Sequence, residues 1–157
     1  MAKLAVGFFP TAMLGHNRVL KSVLGSENHQ LPNASPDKVH GVEVHEGDWK
    51  TTGSVKLWKY TVEGEVEVMK EKVEVDEEKK LVILTALDGH CLNLYKSYKI
   101  IFQVTPKSEG GSVKITLDYE KLNGNIPPPN KYLDLIVNLI KDLDAHILKP
   151  CIIKGSE

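Results

Sequence analysis

The alternation of apolar and polar residues is sharpest over residues 112–120. There Val113, Ile115, Leu117 and Tyr119 share one parity, and Lys114, Thr116, Asp118 and Glu120 take the other. Successive strand side chains point to opposite faces, so this spacing predicts a strand with one dry and one wet side. Comparable runs rich in Val, Ile, Leu and Tyr fill the middle of the chain. They are separated by turn residues at Glu46-Gly47-Asp48, Glu63-Gly64, Asp76-Glu77-Glu78, Asp88-Gly89 and Pro106 to Gly111. Turns at this spacing predict consecutive antiparallel hairpins, with strands near 38–45, 53–62, 65–75, 80–87, 93–105 and 112–122 and a short one at 3–9. In the third of these, Val66 and Val68 are even whereas Val73 and Val75 are odd. That change of phase predicts a β-bulge near Met69–Lys72, which would bend the sheet.

Two regions carry a helical period. Val19, Leu20, Val23 and Leu24 fall at helical spacing between Thr11 and Gly25, and Gly25 is suited to a C′ stop. A short turn from Ser26 follows and is expected to end at Pro32. In the second region Leu133, Ile136, Ile140, Leu143 and Ile147 recur at steps of three and four. Asp134, Asn138, Lys141, Asp142 and Ala145 take the far side. This predicts a helix over 128–149, with a proline of the Pro127–Pro129 run as its first residue and Pro150 as its stop. The order of elements specifies an α+β domain in which a curved antiparallel sheet grips one long helix.

Length and composition narrow the picture. The 157 residues suit one domain, expected over 1–150 with a loose tail at 151–157. The 41% apolar and 26% charged content excludes disorder, collagen and coiled coil. Twenty Lys+Arg against 21 Asp+Glu leave a net charge of -1. No basic field is present for a nucleic-acid backbone or an anionic membrane. No apolar run reaches the roughly 18 residues of a membrane span. Pro10 and the helical pattern after it argue against a signal peptide. Cys91 and Cys151 are too few for a disulfide framework and fit the cytoplasm, so a soluble cytoplasmic monomer is expected.

The local motifs read as structural. Glu46 to Ser54 contains two glycines, but Ser54 rather than lysine follows Gly53 and a strand comes next, so a rigid inter-strand loop is preferred to a phosphate loop. His16, His29, His40, His45, His90 and His146 match no zinc spacing, and His40 and His45 should point to opposite faces of one strand. Cys91 has no nucleophile signature around it. Neither a metal nor a cofactor is expected. The informative feature is diffuse: Trp58 and Tyr60 share a strand face, as do Tyr98, Ile100, Phe102 and Val104, and a single helix must cover them. Two readings stay open, an ordinary filled core and an apolar pocket with tyrosine hydroxyls as polar anchors.

Several stretches resemble the plant major latex protein family, within the birch-pollen-allergen superfamily of pathogenesis-related, START-like proteins. They are Leu31 to Trp49, Gly53 to Thr61, Tyr95 to Tyr98, Gln103 to Pro106, Leu117 to Asn123, and Lys131 to Asp134 through Asp144 to His146. The resemblance spans 31–149 and implies a helix-grip fold: seven antiparallel strands, two short helices and a long C-terminal helix around a hydrophobic cavity. Residues 4–18 depart from it, lacking the acidic–apolar strand and Lys-Phe-Tyr helix that such proteins have there.

The resemblance implies a non-catalytic binder of small apolar plant molecules (sterols, fatty acids, flavonoids or hormones) linked to defence or stress. The residues expected to line the pocket are Trp58, Tyr60, Val66, Val68, Leu84, Tyr98, Ile100, Ile115, Leu117 and Tyr119 from strands, with Leu133, Ile136 and Ile140 from the helix. The alternative is a cavity enzyme condensing or isomerising alkaloid-like precursors by acid–base groups. Lys114 lies on the wet face of its strand, while Lys70 shares the parity of Val66 and Val68 and could reach the cavity. Ligand entry is expected between the start of the long helix and the loops at Asp88–Gly89 and Asn123–Gly124.

Overall fold

The computed structural model describes residues 2–11, 31–49, 51–76, 78–106 and 111–142. The strands are β1 (Ala2–Thr11), β2 (Val39–Glu46), β3 (Val55–Val62), β4 (Glu65–Asp76), β5 (Leu81–Gly89), β6 (Tyr95–Pro106) and β7 (Gly111–Lys121). A helical turn, α1 (Leu31–Ala34), precedes β2, a 3₁₀ turn (His90–Asn93) joins β5 to β6, and α2 covers residues 130–142. The seven strands form one sheet in the order β1-β7-β6-β5-β4-β3-β2, every neighbouring pair antiparallel. From β2 to β7 each strand pairs with the next in sequence, the result of the closely spaced turns.

The predicted strands all form. β7 buries Val113, Ile115, Leu117 and Tyr119 and turns Lys114 and Glu120 to solvent. β1 runs further than expected, through Pro10 to Thr11, and occupies the sheet edge beside β7. Proline is tolerated there because its missing N–H can face away from the ladder. Thr11 thus belongs to a strand, and the remainder of the helix predicted to Gly25 lies outside the described residues. Pro32 sits inside α1, and residues 26–30 of the turn expected from Ser26 lie outside the described residues. α2 begins after the three prolines, not within them: the Pro129 carbonyl accepts from the Leu133 N–H at 3.1 Å, and residue 130 is the first helical one. The part of the predicted helix from 143 to 149 is outside the described residues.

The bulge predicted near Met69–Lys72 is present in the pairing but on the other strand. Lys70 pairs with Asp88 and Glu71 with Ala86, so the extra residue is Leu87 of β5. β4 itself keeps one phase, burying Glu67, Met69, Glu71 and Val73. Val66 and Val68 therefore face outward, and the apolar change of phase in β4 marks polar residues on the inner face. The strand β2 carries two bulges, whose extra residues are His40 and His45, and both are exposed. The parity argument that set them on opposite faces fails because neither is in the ladder.

One core holds the sheet to α2. Tyr132, Leu133, Ile136 and Ile140 of the helix share a buried cluster with Trp58, Tyr60, Val73, Tyr98, Phe102, Ile115 and Leu117. Lys38, half-buried beside β2, bonds Asp142 near the end of the described helix at 2.8 Å, and Ser35 Oγ donates to the same carboxyl at 2.7 Å. The Tyr95 hydroxyl donates to the Pro127 carbonyl at 2.8 Å and so ties the helix approach to β6.

Gly89 closes β5 with φ +132°, and a Cβ there would press into the Val68 carbonyl and sit 2.8 Å from the Met69 Cα. Both obstacles are backbone, so the crowding has no cheap relief. Gly89→Ala is expected to lower stability by about 2 kcal/mol. Urea unfolding checks this, and an unchanged midpoint would contradict the tight fit.

Candidate functional site

Between sheet and helix lies a cavity that admits the centres of water-sized spheres over about 90 Å³. One water requires only roughly 10–15 Å³ on that measure, so the space exceeds a packing defect. Its sheet wall comprises Val39, Trp58 and Tyr60, then Met69 and Glu71 of β4, Leu84 of β5, and Tyr98, Ile100 and Phe102 of β6. The helix supplies Tyr132, Leu135, Ile136, Leu139 and Ile140. Alternation places the strand residues there, and steps of three and four place those of α2.

Of the residues expected to line a pocket, Trp58, Tyr60, Leu84, Tyr98, Ile100, Ile136 and Ile140 stand on its wall. Ile115, Leu117, Tyr119 and Leu133 are buried in the surrounding core rather than on the wall. Val66 is 53% exposed, and Val68 is half-buried on the same outward side, so neither lines the cavity. Lys70 shares their outward parity and Lys114 is exposed, which removes both lysines from the interior.

Sequence reasoning missed Val39, Met69, Glu71, Phe102, Tyr132, Leu135 and Leu139 as lining residues. Phe102 was legible, since it shares parity with Tyr98 and Ile100. Met69 and Glu71 were concealed by the more apolar Val66 and Val68. Tyr132 lies one turn from Ile136, but a tyrosine beside a lysine carries no inward signal in sequence.

The polar groups of the site fall into two sets. In the first, Glu67 is 7% exposed and collects a hydrogen bond from the Tyr132 hydroxyl at 2.7 Å and a longer one from Tyr60 at 3.4 Å. Lys131 Nζ lies 3.9 Å from its other oxygen. Burial raises the pKa of Tyr60 and Tyr132 above the ordinary phenol value, so both remain donors. Tyr132→Phe is expected to cost about 1.5 kcal/mol, since a hydrogen bond to a buried carboxyl is lost. Thermal unfolding of the variant measures this, and a wild-type Tm would show that the bond contributes nothing net.

In the second set, Glu71 is 3% exposed and pairs across the ladder with Lys56, itself 1% exposed. Burial pushes the Glu71 carboxyl up to about 8, opposed by the charge of Lys56 and, more weakly, by the nearby Trp58 indole. The indole N–H is near enough to act on the carboxyl but makes no well-formed hydrogen bond among the described residues. Burial likewise brings Lys56 down to about 8, opposed by Glu71 and Asp48. Lys56 Nζ donates to the Trp49 carbonyl at 3.2 Å and lies 5.1 Å from the centre of that indole ring. The Tyr98 hydroxyl, also on the cavity wall, is without a hydrogen-bond partner among the described residues, and burial raises its pKa well above the ordinary phenol value.

The Glu46–Ser54 segment joins β2 to β3 and is held by its own groups. Asp48 accepts from the Thr51 N–H at 2.6 Å and from the Thr51 hydroxyl at 2.9 Å. Ser54 Oγ donates to the Thr51 carbonyl at 2.7 Å and accepts from the Asp48 N–H at 3.1 Å. Cys91 is buried, and burial pushes its thiol up to about 12, so it is no nucleophile. Among the described residues no cluster of His, Cys, Asp or Glu could hold a metal ion, and no helix is long and apolar enough to cross a membrane.

Comparison with known proteins places this geometry. The profile of the pathogenesis-related protein Bet v 1 family matches residues 19–150. MLP-like protein 328 of Arabidopsis thaliana is 40% identical over 125 residues, covering 79% of this chain and 83% of that protein. MLP-like protein 43 of the same plant is 43% identical over 123 residues, covering 76% and 78%. The solved structure of the ginseng major latex-like protein 151 from Panax ginseng superposes with a TM-score of 0.85 at 32% identity, covering 92% of this chain and 96% of that one. With its helix-grip architecture, its sheet order and these matches together, the chain belongs to the Bet v 1 family, among the major latex proteins.

Proposed function

We propose that this protein binds and carries small hydrophobic plant molecules of the sterol, fatty acid, flavonoid or hormone type in its internal cavity. The observation that carries this reading is a space between sheet and helix walled almost wholly by apolar and aromatic side chains. Removing apolar ligand surface from water yields about 25 cal/mol per Å², enough for micromolar affinity without directional contacts. The protein acts as a cytoplasmic monomer, with residues 1–150 forming the binding domain. Ligand enters between the start of α2 and the loops at 88–89 and 123–124. A role in defence or stress follows the family's description as pathogenesis-related. Titration of the folded chain with 1-anilinonaphthalene-8-sulfonate tests the binding reading. Failure of the dye to bind leaves a filled core in its place.

A second reading is favoured by one observation. Glu71 is a buried carboxyl on the cavity wall whose proton affinity is tuned to about 8, as a general acid or base at neutral pH would require. On that reading the cavity condenses or isomerises an alkaloid-like precursor. The names of the family and its relatives are not enzyme names, and no lysine lines the cavity beside Glu71, so binding is preferred. Turnover of a bound precursor that vanishes in Glu71→Gln while binding persists would reverse the order.

A further inference from the structure

Two polar groups on the cavity wall, the Trp58 indole N–H and the Tyr98 hydroxyl, have no well-formed hydrogen bond among the described residues. The Trp58 Nε1 and the Tyr98 hydroxyl are both fully enclosed, and the Glu71 carboxyl, 3% exposed, stands on the same wall with the indole beside it. Buried polar groups in folded proteins are nearly always paired, because an unpaired one forfeits its hydration without return. Two such groups beside a buried carboxyl on one apolar wall need a common explanation.

The register brings them together. Trp58 pairs with Met69, one inward step along β4 from Glu71, so the indole and the carboxyl are diagonal neighbours on the inner face. Glu71 pairs with Ala86. On the far side of β5 the ladder to β6 ends at Thr85 and Lys99, the chain neighbours of Ala86 and Tyr98. Glu71 and Tyr98 thus stand on the two strands that flank β5, and both line the cavity. The Leu87 bulge of β5 lies beside Ala86.

We propose that Glu71, Trp58 and Tyr98 form a polar end of the cavity that receives a neutral hydroxyl or carbonyl oxygen of an otherwise apolar ligand. The donor inventory selects this chemistry. The indole N–H can only donate, the tyrosine can donate or accept, and a protonated carboxyl offers one of each. An oxygen accepts from Trp58 and Tyr98, and a hydroxyl hydrogen returns a bond to the Glu71 carbonyl oxygen. The elevated proton affinity of Glu71 keeps it neutral at pH 7, so a neutral group meets no fixed charge at this point.

This inference rests on the cavity being a binding site, and the test separates the two. Wild type, Glu71→Leu, Glu71→Gln and Tyr98→Phe are titrated with 2-naphthol and with 2-methylnaphthalene, which differ by one hydroxyl. The readout is the ratio of the two affinities. Glu71→Leu and Tyr98→Phe should each move it about tenfold away from the naphthol, the worth of one buried hydrogen bond. Glu71→Gln, which still donates and accepts, should hold the wild-type ratio. A ratio unchanged in Glu71→Leu and Tyr98→Phe, with both probes bound, overturns the polar end and leaves the cavity reading intact. If wild type binds neither of these probes nor the anilinonaphthalene dye, the cavity reading fails and the polar end with it. Tyr98→Phe differs by one oxygen and serves as the readout should Glu71→Leu not fold.

Discussion

Ile136→Trp is expected to abolish binding of apolar probes, with affinity reduced by a hundredfold or more, while the protein still unfolds cooperatively. Ile136 is 8% exposed and projects from α2 onto the cavity wall opposite the sheet. An indole at that position grows into the space a ligand would occupy. Overpacking of a filled core costs about 1–3 kcal/mol, and here the cost falls at the low end because the added atoms enter empty volume. Anilinonaphthalene titration and urea unfolding on the same sample separate occlusion from loss of fold. Val66→Trp is the control: Val66 is 53% exposed on the outward side of β4, so binding there should be unaltered. Undiminished binding by a well-folded Ile136→Trp would place the ligand elsewhere.

Glu71→Gln is expected to stabilise the protein above pH 5, by about 3 kcal/mol at pH 7. The folded-state pKa of Glu71 is about 8 against an ordinary 4.5. Between those values the folded protein retains a proton that the unfolded chain has released. The unfolded state binds fewer protons, so stability falls as pH rises through this window and levels off above about 8. Lys56 works in the opposite sense, because its folded-state pKa of about 8 lies below its ordinary 10.5. There the unfolded chain keeps a proton that the folded protein has lost, so stability recovers from pH 8 toward 10.5. The pair gives wild type a minimum near pH 8. Glutamine preserves the shape and neutrality of the protonated carboxyl and removes the descending limb. Urea midpoints at pH 5, 7 and 8 check this: the two proteins should coincide at pH 5 and diverge upward. Parallel profiles would mean that Glu71 titrates as an ordinary carboxyl.

The two variants report on different properties of one site. Ile136→Trp asks whether the space is used, and Glu71→Gln asks what a polar group inside it costs. Should Glu71→Gln stabilise as expected, the carboxyl would join the groups at functional sites for which local stability is given up for chemistry or recognition.

The residues by themselves determined the strands, the long helix and most of the inner faces. Alternation at Val113, Ile115, Leu117 and Tyr119 and the three-four spacing from Leu133 to Ile140 are local patterns, set by the geometry of one strand or one turn of helix. Trp58, Tyr60, Tyr98 and Ile100 could be assigned inward on that basis alone. What only the tertiary structure decided was the inner face of β4 and which polar groups line the cavity. Val66 and Val68 are the more apolar choice, yet β4 turns Glu67, Met69 and Glu71 inward. The parity of a strand is imposed by its neighbours: β3 pairs Tyr60 with Glu67, Trp58 with Met69 and Lys56 with Glu71 along an unbroken ladder. A one-residue slip would turn the buried aromatics of β3 or the Val73 side of β4 to solvent, a greater loss than exposing two valines. Whether a buried carboxyl faces a cavity or a partner depends on residues fifteen or more positions away. That relation exists only after the sheet has formed.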